Sequence, residues 1–148
     1  MTKIRGYFGI GISHVKTQAN VGTLYRTAAS MGASFVFTVG ARFPKQSSDT
    51  QKSWKHIPAL ELDNLGQLNK LLVDCELVGV EFDTRAKNIR DFTHFERACY
   101  LLGAEDYGLS PKELSQCHRV VQLPGSLCHN VAVAGAMVMF DRWTKLVV

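Results

Sequence analysis

Cys128, His129 and Asn130 stand side by side at the head of "NVAVAGAMVMFDRW", a run whose other residues read as core. A thiol beside an imidazole suggests a nucleophile and its base. Adjacent residues seldom aim their side chains at one point, however, and the two groups must meet within hydrogen-bond reach. A thiol hydrolase is therefore not supported. Cys117-His118 and Cys128-His129 also suggest zinc, but no ligand pair has the two-to-four-residue spacing of a finger knuckle, and no metal is expected.

Two further groups of polar residues could take part in chemistry. Asn20 and Arg26 lie in "NVGTLYRTAASMG", directly after an expected strand end, where open α/β sheets place their ligands. As plain structure, Asn20 would be a helix-start hydrogen bond and Arg26 a solvated surface cation. In "LLGAEDYGLSP", Gly103, Glu105 and Gly108 form a turn after a buried strand, where glycine permits close approach of a ligand to the backbone. Glu105 there could hold an arginine or a substrate hydroxyl, or simply meet a helix N-terminus or solvent.

The elements that would position these residues alternate. "GYFGIGIS" reads as a buried strand, followed by a helix with Val21, Leu24, Tyr25 and Ala28 on its apolar face and Gly32 at its end. "SFVFTVG" completes a right-handed βαβ unit and implies a parallel sheet. A helix in "LDNLGQLNKLL", strands in "CELVGVEF", "ACYLLGAE" and "RVVQLPG", and a last helix from about Asn130 toward Lys145 follow. Ser110, Pro111 and Glu113 spell a capping box with proline at the first helical position. Gly9 and Gly11 supply half of a dinucleotide fingerprint but fall inside the strand, so a nicotinamide cofactor is not supported.

At 148 residues, 46% hydrophobic and 20% charged, the chain is expected to form one globular domain spanning 1–148, with no apolar run long enough for a bilayer. The N-terminus does not have the pattern of a secretory signal, and the four cysteines read as reduced in a cytoplasmic protein. A net charge of +4 permits a polyanionic partner. The polar segment from Arg42 to His56, with Arg42, Lys45, Lys52 and Lys55 among small polar residues and Phe43 and Trp54 interleaved, reads as an exposed loop.

Taken in order, "NVGTLYRTAASMG", "LLGAEDYGLSP" and "VVQLPGSLCHNVAVAGAMVMFDR" resemble the three motifs of the SpoU (TrmH-like) branch of the SPOUT RNA methyltransferases, in a minimal form without an N-terminal RNA-binding domain. The resemblance implies an α/β fold, a parallel sheet flanked by helices with a deep C-terminal trefoil knot. It implies S-adenosyl-L-methionine as cofactor, held by backbone near Val80, Gly103 and Leu123 through Cys128 and His129. It implies methyl transfer to a ribose 2′-hydroxyl of tRNA or rRNA by a cytoplasmic homodimer joined through its terminal helices, whose small residues would suit close packing. Carried over residue by residue, Arg26 meets the target phosphate and helps activate the hydroxyl, Asn20 and Glu105 position Arg26 and the ribose, and Asn130 holds cofactor or substrate. Arg42, Lys45, Lys52 and Lys55 become candidate RNA contacts. Cys128 stands where many relatives have serine, and Ala132 replaces a second serine. The alternative from another class is a non-catalytic RNA-binding protein of the same fold.

Overall fold

The computed structural model describes residues 4–40 and 52–147. In chain order the elements are β1 (Tyr7–Ser13), α1 (Gln18–Ser30), β2 (Phe35–Val39), β3 (Ala59–Leu62), α2 (Leu65–Leu71), β4 (Glu76–Val80), β5 (Lys87–Asn88), β6 (Arg97–Leu102), α3 (Pro111–Gln116), β7 (Arg119–Gln122) and α4 (Val131–Leu146). Short 3₁₀ turns occupy Ser53–Lys55 and Ile89–Asp91. The strands pair in parallel in the order β3-β2-β1-β6-β4-β7-β5.

A parallel sheet must be covered on both faces, and alternation along each strand divides the core accordingly. Along β6, Ala98, Tyr100 and Leu102 join Ile10, Ile12, Leu24, Val138 and Met139 in the layer beneath α1 and α4. Cys99 and Leu101 point the other way, to Phe37, Leu68, Leu77 and Cys117 in the layer of α2 and α3. This second layer explains the glycines of β1. A Cβ at Gly9 would lie 2.2 Å from the Phe35 ring, and one at Gly11 2.3 Å from the Phe37 carbonyl oxygen, so the glycines make room for two aromatic residues.

Helix boundaries follow local chemistry. Gly32, at φ +86°, ends α1 as its sequence position implies. The capping box of α3 is formed: Ser110 Oγ accepts the Glu113 N–H at 3.1 Å and Glu113 Oε1 accepts the Ser110 N–H at 3.0 Å. The second Glu113 oxygen accepts the buried hydroxyl of Ser13, tying the start of α3 to the end of β1. The helix expected over Leu62 to Leu72 is shorter, because Ala59–Leu62 is an edge strand and Asn64 then caps α2 by accepting the Gln67 N–H at 3.0 Å.

The small residues of α4 do not face outward, as a role in joining subunits would require. Ala132, Ala134 and Gly135 are buried, and a Cβ at Gly135 would lie 2.4 Å from Leu24 Cδ1, so they let α4 close on α1 within one chain. The outward side of α4 instead carries Val133 and Phe140, with Phe140 stacked on Trp143. No helix among the described residues is long and apolar enough to cross a membrane.

The C-terminal half of α4 is fixed by buried polar groups. Arg142, 1% exposed, donates to the carbonyls of Phe95 at 2.6 Å and Glu96 at 2.8 Å and to Tyr100 Oη at 3.2 Å. His94 lies between Tyr100 Oη, 2.7 Å from Nδ1, and Asp141 Oδ2, 2.6 Å from Nε2. All of these bonds are satisfied at once when Tyr100 donates to Nδ1 and a neutral His94 donates to Asp141. Burial lowers the His94 pKa and outweighs the opposing pull of Asp141, with Arg142 and Lys145 adding to the lowering; burial likewise pushes the Tyr100 phenol up to about 12.

The unfolded chain takes up this proton near pH 6.5, the folded protein only at lower pH. Stability is therefore level above about pH 6.5 and falls as the pH drops toward the folded pKa, by at most about 1.4 kcal/mol per unit. Thermal melts from pH 7.5 to 5.5 should show this loss in the wild-type protein and a flatter profile in His94→Gln. Equal slopes in both would place the pH dependence elsewhere.

Candidate active site

At the carboxyl ends of β4 and β6 the sheet opens into a cleft of about 780 Å³, counting space open to solvent. Its apolar wall comprises Val80, Leu102, Leu123, Val131 and Ala134; Glu81, Glu105 and Asp106 add carboxylates, and Cys128 and His129 close one side. Thus Val80, Gly103, Leu123, Cys128 and His129, expected from sequence to surround a cofactor, line one cavity.

The turn from β6 toward α3 is compact because Gly103 has no side chain. A Cβ there would lie 2.3 Å from the Gly108 carbonyl carbon and 2.5 Å from the Leu109 nitrogen. An antiparallel bridge between Ala104 and Gly108 closes the turn. Cys128 is exposed, whereas the His129 ring folds back, its Nε2 donating to the Pro124 carbonyl at 2.5 Å. Cys128 and His129 thus border the cleft as separate groups, not as a nucleophile and its base.

Glu105, Asn20 and Asn130 meet at the edge of this cleft. Asn20 Nδ2 donates to Glu105 Oε1 at 2.9 Å, and Asn130 Nδ2 donates to Asn20 Oδ1 at 3.1 Å. The Lys16 N–H donates to Glu105 Oε2 at 3.2 Å. Asn130 is also the N-cap of α4, its Oδ1 accepting from Ala132 N at 2.9 Å and Val133 N at 3.3 Å. Asn20, for which a helix cap was the plain alternative, sits inside α1, whose N-cap is Thr17. One chain of amides and a carboxylate therefore joins α1, the 103–108 turn and the start of α4.

Burial tends to raise the Glu105 pKa, but hydrogen bonds from Asn20 and from the backbone of Glu105, Lys16 and Thr17 outweigh it and hold the carboxyl below its usual value. The group is a fixed anion at neutral pH and is poorly suited to pass protons. Lys16 bridges to Asp106 at 2.6 Å, and its ammonium lies 4.8 Å from the centre of the exposed Tyr107 ring.

Arg26 is not part of this group. It is exposed on α1 and does not line the cleft of its own chain, and within that chain Glu105 takes its side-chain hydrogen bond from Asn20. Six residues along a helix bring Arg26 about 9 Å farther along the axis than Asn20. Lys52 and Lys55 are exposed at the Ser53–Lys55 turn, which packs against α1. Arg42 and Lys45 lie outside the described residues. Sequence reasoning did not single out Glu81; its place directly after a predicted strand was the available signal. Among the described residues no group of three or more His, Cys, Asp or Glu is placed to hold a metal ion.

The model of the SpoU rRNA Methylase family matches residues 8–140. The chain is 28% identical over 142 residues to the 23S rRNA (guanosine-2′-O-)-methyltransferase RlmB of Acinetobacter baylyi, a match covering 89% of this chain and 57% of that protein. It is 27% identical over 124 residues to an uncharacterized tRNA/rRNA methyltransferase of Archaeoglobus fulgidus, covering 81% of this chain and 55% of that one. It spans little more than half the length of these curated relatives. Among solved structures, the AdoMet-bound rRNA methyltransferase from Sinorhizobium meliloti superimposes with a TM-score of 0.86 at 20% identity, over 100% of this chain and 60% of that one. At that identity the likeness establishes the fold.

Proposed function

The chain belongs to the SpoU rRNA Methylase family, and from that premise we propose that it transfers the methyl group of S-adenosyl-L-methionine to a ribose 2′-hydroxyl of tRNA or rRNA. The observation carrying this reading is the convergence, at one cleft, of an apolar wall, a glycine-shaped turn and the Glu105–Asn20–Asn130 chain. The residues fit the cofactor. Val80, Leu102, Leu123, Val131 and Ala134 offer a surface for a purine, and the carboxylates of Glu81, Glu105 and Asp106 complement a cation. The names of RlmB and of the S. meliloti enzyme support the same chemistry.

When bound, the cofactor supplies a methyl group on a positively charged sulfur, which departs as a neutral thioether. The chain supplies alignment and charge. Asn20 and Asn130, fixed to the Glu105 anion, hold α1 and the start of α4 in one register at the cleft, and this holds the reacting groups in line. Arg26, a permanent cation, binds the phosphate beside the target nucleotide and favours loss of the hydroxyl proton by charge rather than as a base.

Arg26 lies outside the cleft of its own chain, and Val133 and Phe140 expose apolar surface on the neighbouring α4. The reading therefore includes a homodimer through the α1–α4 face, with Arg26 of one copy serving the cleft of the other. Lys52 and Lys55, exposed at the turn that packs against α1, join Arg26 in facing RNA, with Arg42 and Lys45 as further candidate contacts. Threading of the C-terminal half as a trefoil knot belongs to the same reading, supported by a sheet order in which β6 separates β1 from β4. We place the protein in the cytoplasm, where its buried thiols Cys75, Cys99 and Cys117 stay reduced.

Incubation with S-adenosylmethionine labelled in the methyl group and RNA from cells lacking the protein should label RNA at an alkali-resistant 2′-O-methyl linkage. RNA binding without transfer would instead support the non-catalytic alternative.

A further inference from the structure

Glu81 borders the cleft but takes no part in the Glu105–Asn20–Asn130 chain. It is the residue directly after β4, at the carboxyl edge of the sheet, and it is half-buried. Its Oε1 accepts the Phe82 N–H at 2.9 Å, and its Oε2 accepts the Leu109 N–H at 2.8 Å. Gly108, at φ +64°, is shaped around it, since a Cβ there would lie 2.0 Å from Oε2. The carboxylate is thus pinned between the end of β4 and the return of the 103–109 turn. No Lys, Arg or His among the described residues pairs with it.

We propose that Glu81 accepts hydrogen bonds from the vicinal 2′- and 3′-hydroxyls of the ribose of an adenosyl ligand in this cleft. The inference rests on the cofactor reading above and assigns it a side-chain determinant. Each carboxylate oxygen can accept two hydrogen bonds, and the backbone takes one at each, so both keep a further acceptor position. A cis-diol presents two O–H donors at matching separation. An acid at the carboxyl end of a parallel strand is where α/β sheets take a nucleoside ribose. Val80, the residue before Glu81, belongs to the apolar wall suited to the adenine, so base and sugar fall on neighbouring residues. Glu105 is held toward α1 from near the start of the turn, leaving that side to the cationic part of the ligand. Because backbone N–H groups already fix the Glu81 carboxylate, little side-chain freedom is lost on binding.

The test uses 5′-methylthioadenosine, which keeps adenine and diol but has no amino-acid tail, its 2′,3′-dideoxy counterpart, and S-adenosylhomocysteine. Calorimetry on the wild-type protein should show the dideoxy compound binding about 10–100-fold more weakly than methylthioadenosine. In Glu81→Gln, methylthioadenosine and S-adenosylhomocysteine should weaken by a similar factor while the dideoxy compound does not, so the ratio between the two nucleosides collapses. Equal binding of both nucleosides by the wild-type protein overturns the inference, and this arm requires no variant. So does an unchanged ratio in Glu81→Gln, as expected if the carboxylate only braces the turn. A variant that weakens S-adenosylhomocysteine alone sets Glu81 against the ammonium tail and likewise overturns it. If neither methylthioadenosine nor S-adenosylhomocysteine binds the wild-type protein, the cofactor reading fails and the inference with it.

Discussion

Replacing Arg26 by alanine should lower methyl transfer by about 10²–10³-fold in kcat while leaving affinity for S-adenosylhomocysteine within about twofold of wild type. The separation follows from placement. Arg26 is exposed on α1 and contributes nothing to the wall of its own cleft, so its loss disturbs neither the apolar lining nor the 103–108 turn. On the proposed reading, what disappears is a positive charge beside the phosphate and the oxygen that must give up its proton. Arg26→Lys keeps that charge without the planar fork and should recover part of the rate. Equal loss of transfer and of cofactor affinity would refute this role.

The proposed homodimer can be tested through the same residue. Neither Arg26→Ala nor a variant whose cleft is disrupted at its turn, such as Gly103→Val, should show more than residual methyl transfer alone. If Arg26 serves the partner's cleft, a mixed dimer has one intact cleft facing one intact arginine, and activity returns. A mixed population that stays inactive would place Arg26 and the cleft of one chain together instead.

Much of this arrangement was legible in the sequence because local rules and tertiary structure agree. The Ser110, Pro111 and Glu113 pattern forms the capping box it spells, and Gly32 ends α1. Gly103 and Gly108 occupy the turn where close approach was expected, and Val80, Gly103, Leu123, Cys128 and His129 border one cavity. The shortfalls have a common physical origin, which is contact between residues distant in the chain. Gly9 and Gly11 are explained by the Phe35 and Phe37 residues of the neighbouring strand, which a fingerprint search does not weigh. β3 escaped because "ALEL" is a short, half-polar edge strand next to a stronger helix pattern. The small residues of α4 do suit close packing, but the partner they meet is Leu24 of the same chain. The clamp of Arg142, His94, Tyr100 and Asp141 joins elements that no local spacing connects. Asn130 was legible as the residue that opens the last helix, whereas its bond to Asn20, 110 residues earlier, required the fold.

That bond sets the second expectation of large effect. Asn20→Ala and Glu105→Ala should each lower kcat by about 10²-fold, the scale on which misplacement of reacting groups is felt, and the double variant should be little worse than either alone. The non-additivity follows because Asn20 touches Glu105 directly and passes its position to Asn130. Asn130→Ala should differ in kind. It removes the cap of α4 as well as the link, so it should also lose about 1 kcal/mol of stability, measurable as a lowered Tm, which Asn20→Ala should largely avoid. The pH dependence separates positioning from proton transfer. Hydrogen bonding holds the Glu105 pKa below the ordinary carboxylate range, so the form that organises the site is the anion, present at neutral pH and lost only as the pH falls through that lowered value. A kcat profile from pH 6 to 9 should therefore contain no limb that Glu105→Gln abolishes. A limb in that range that disappears in Glu105→Gln would make the carboxylate a proton carrier, and the amide chain from Asn130 would then serve to tune it rather than to fix the register of α1 and α4.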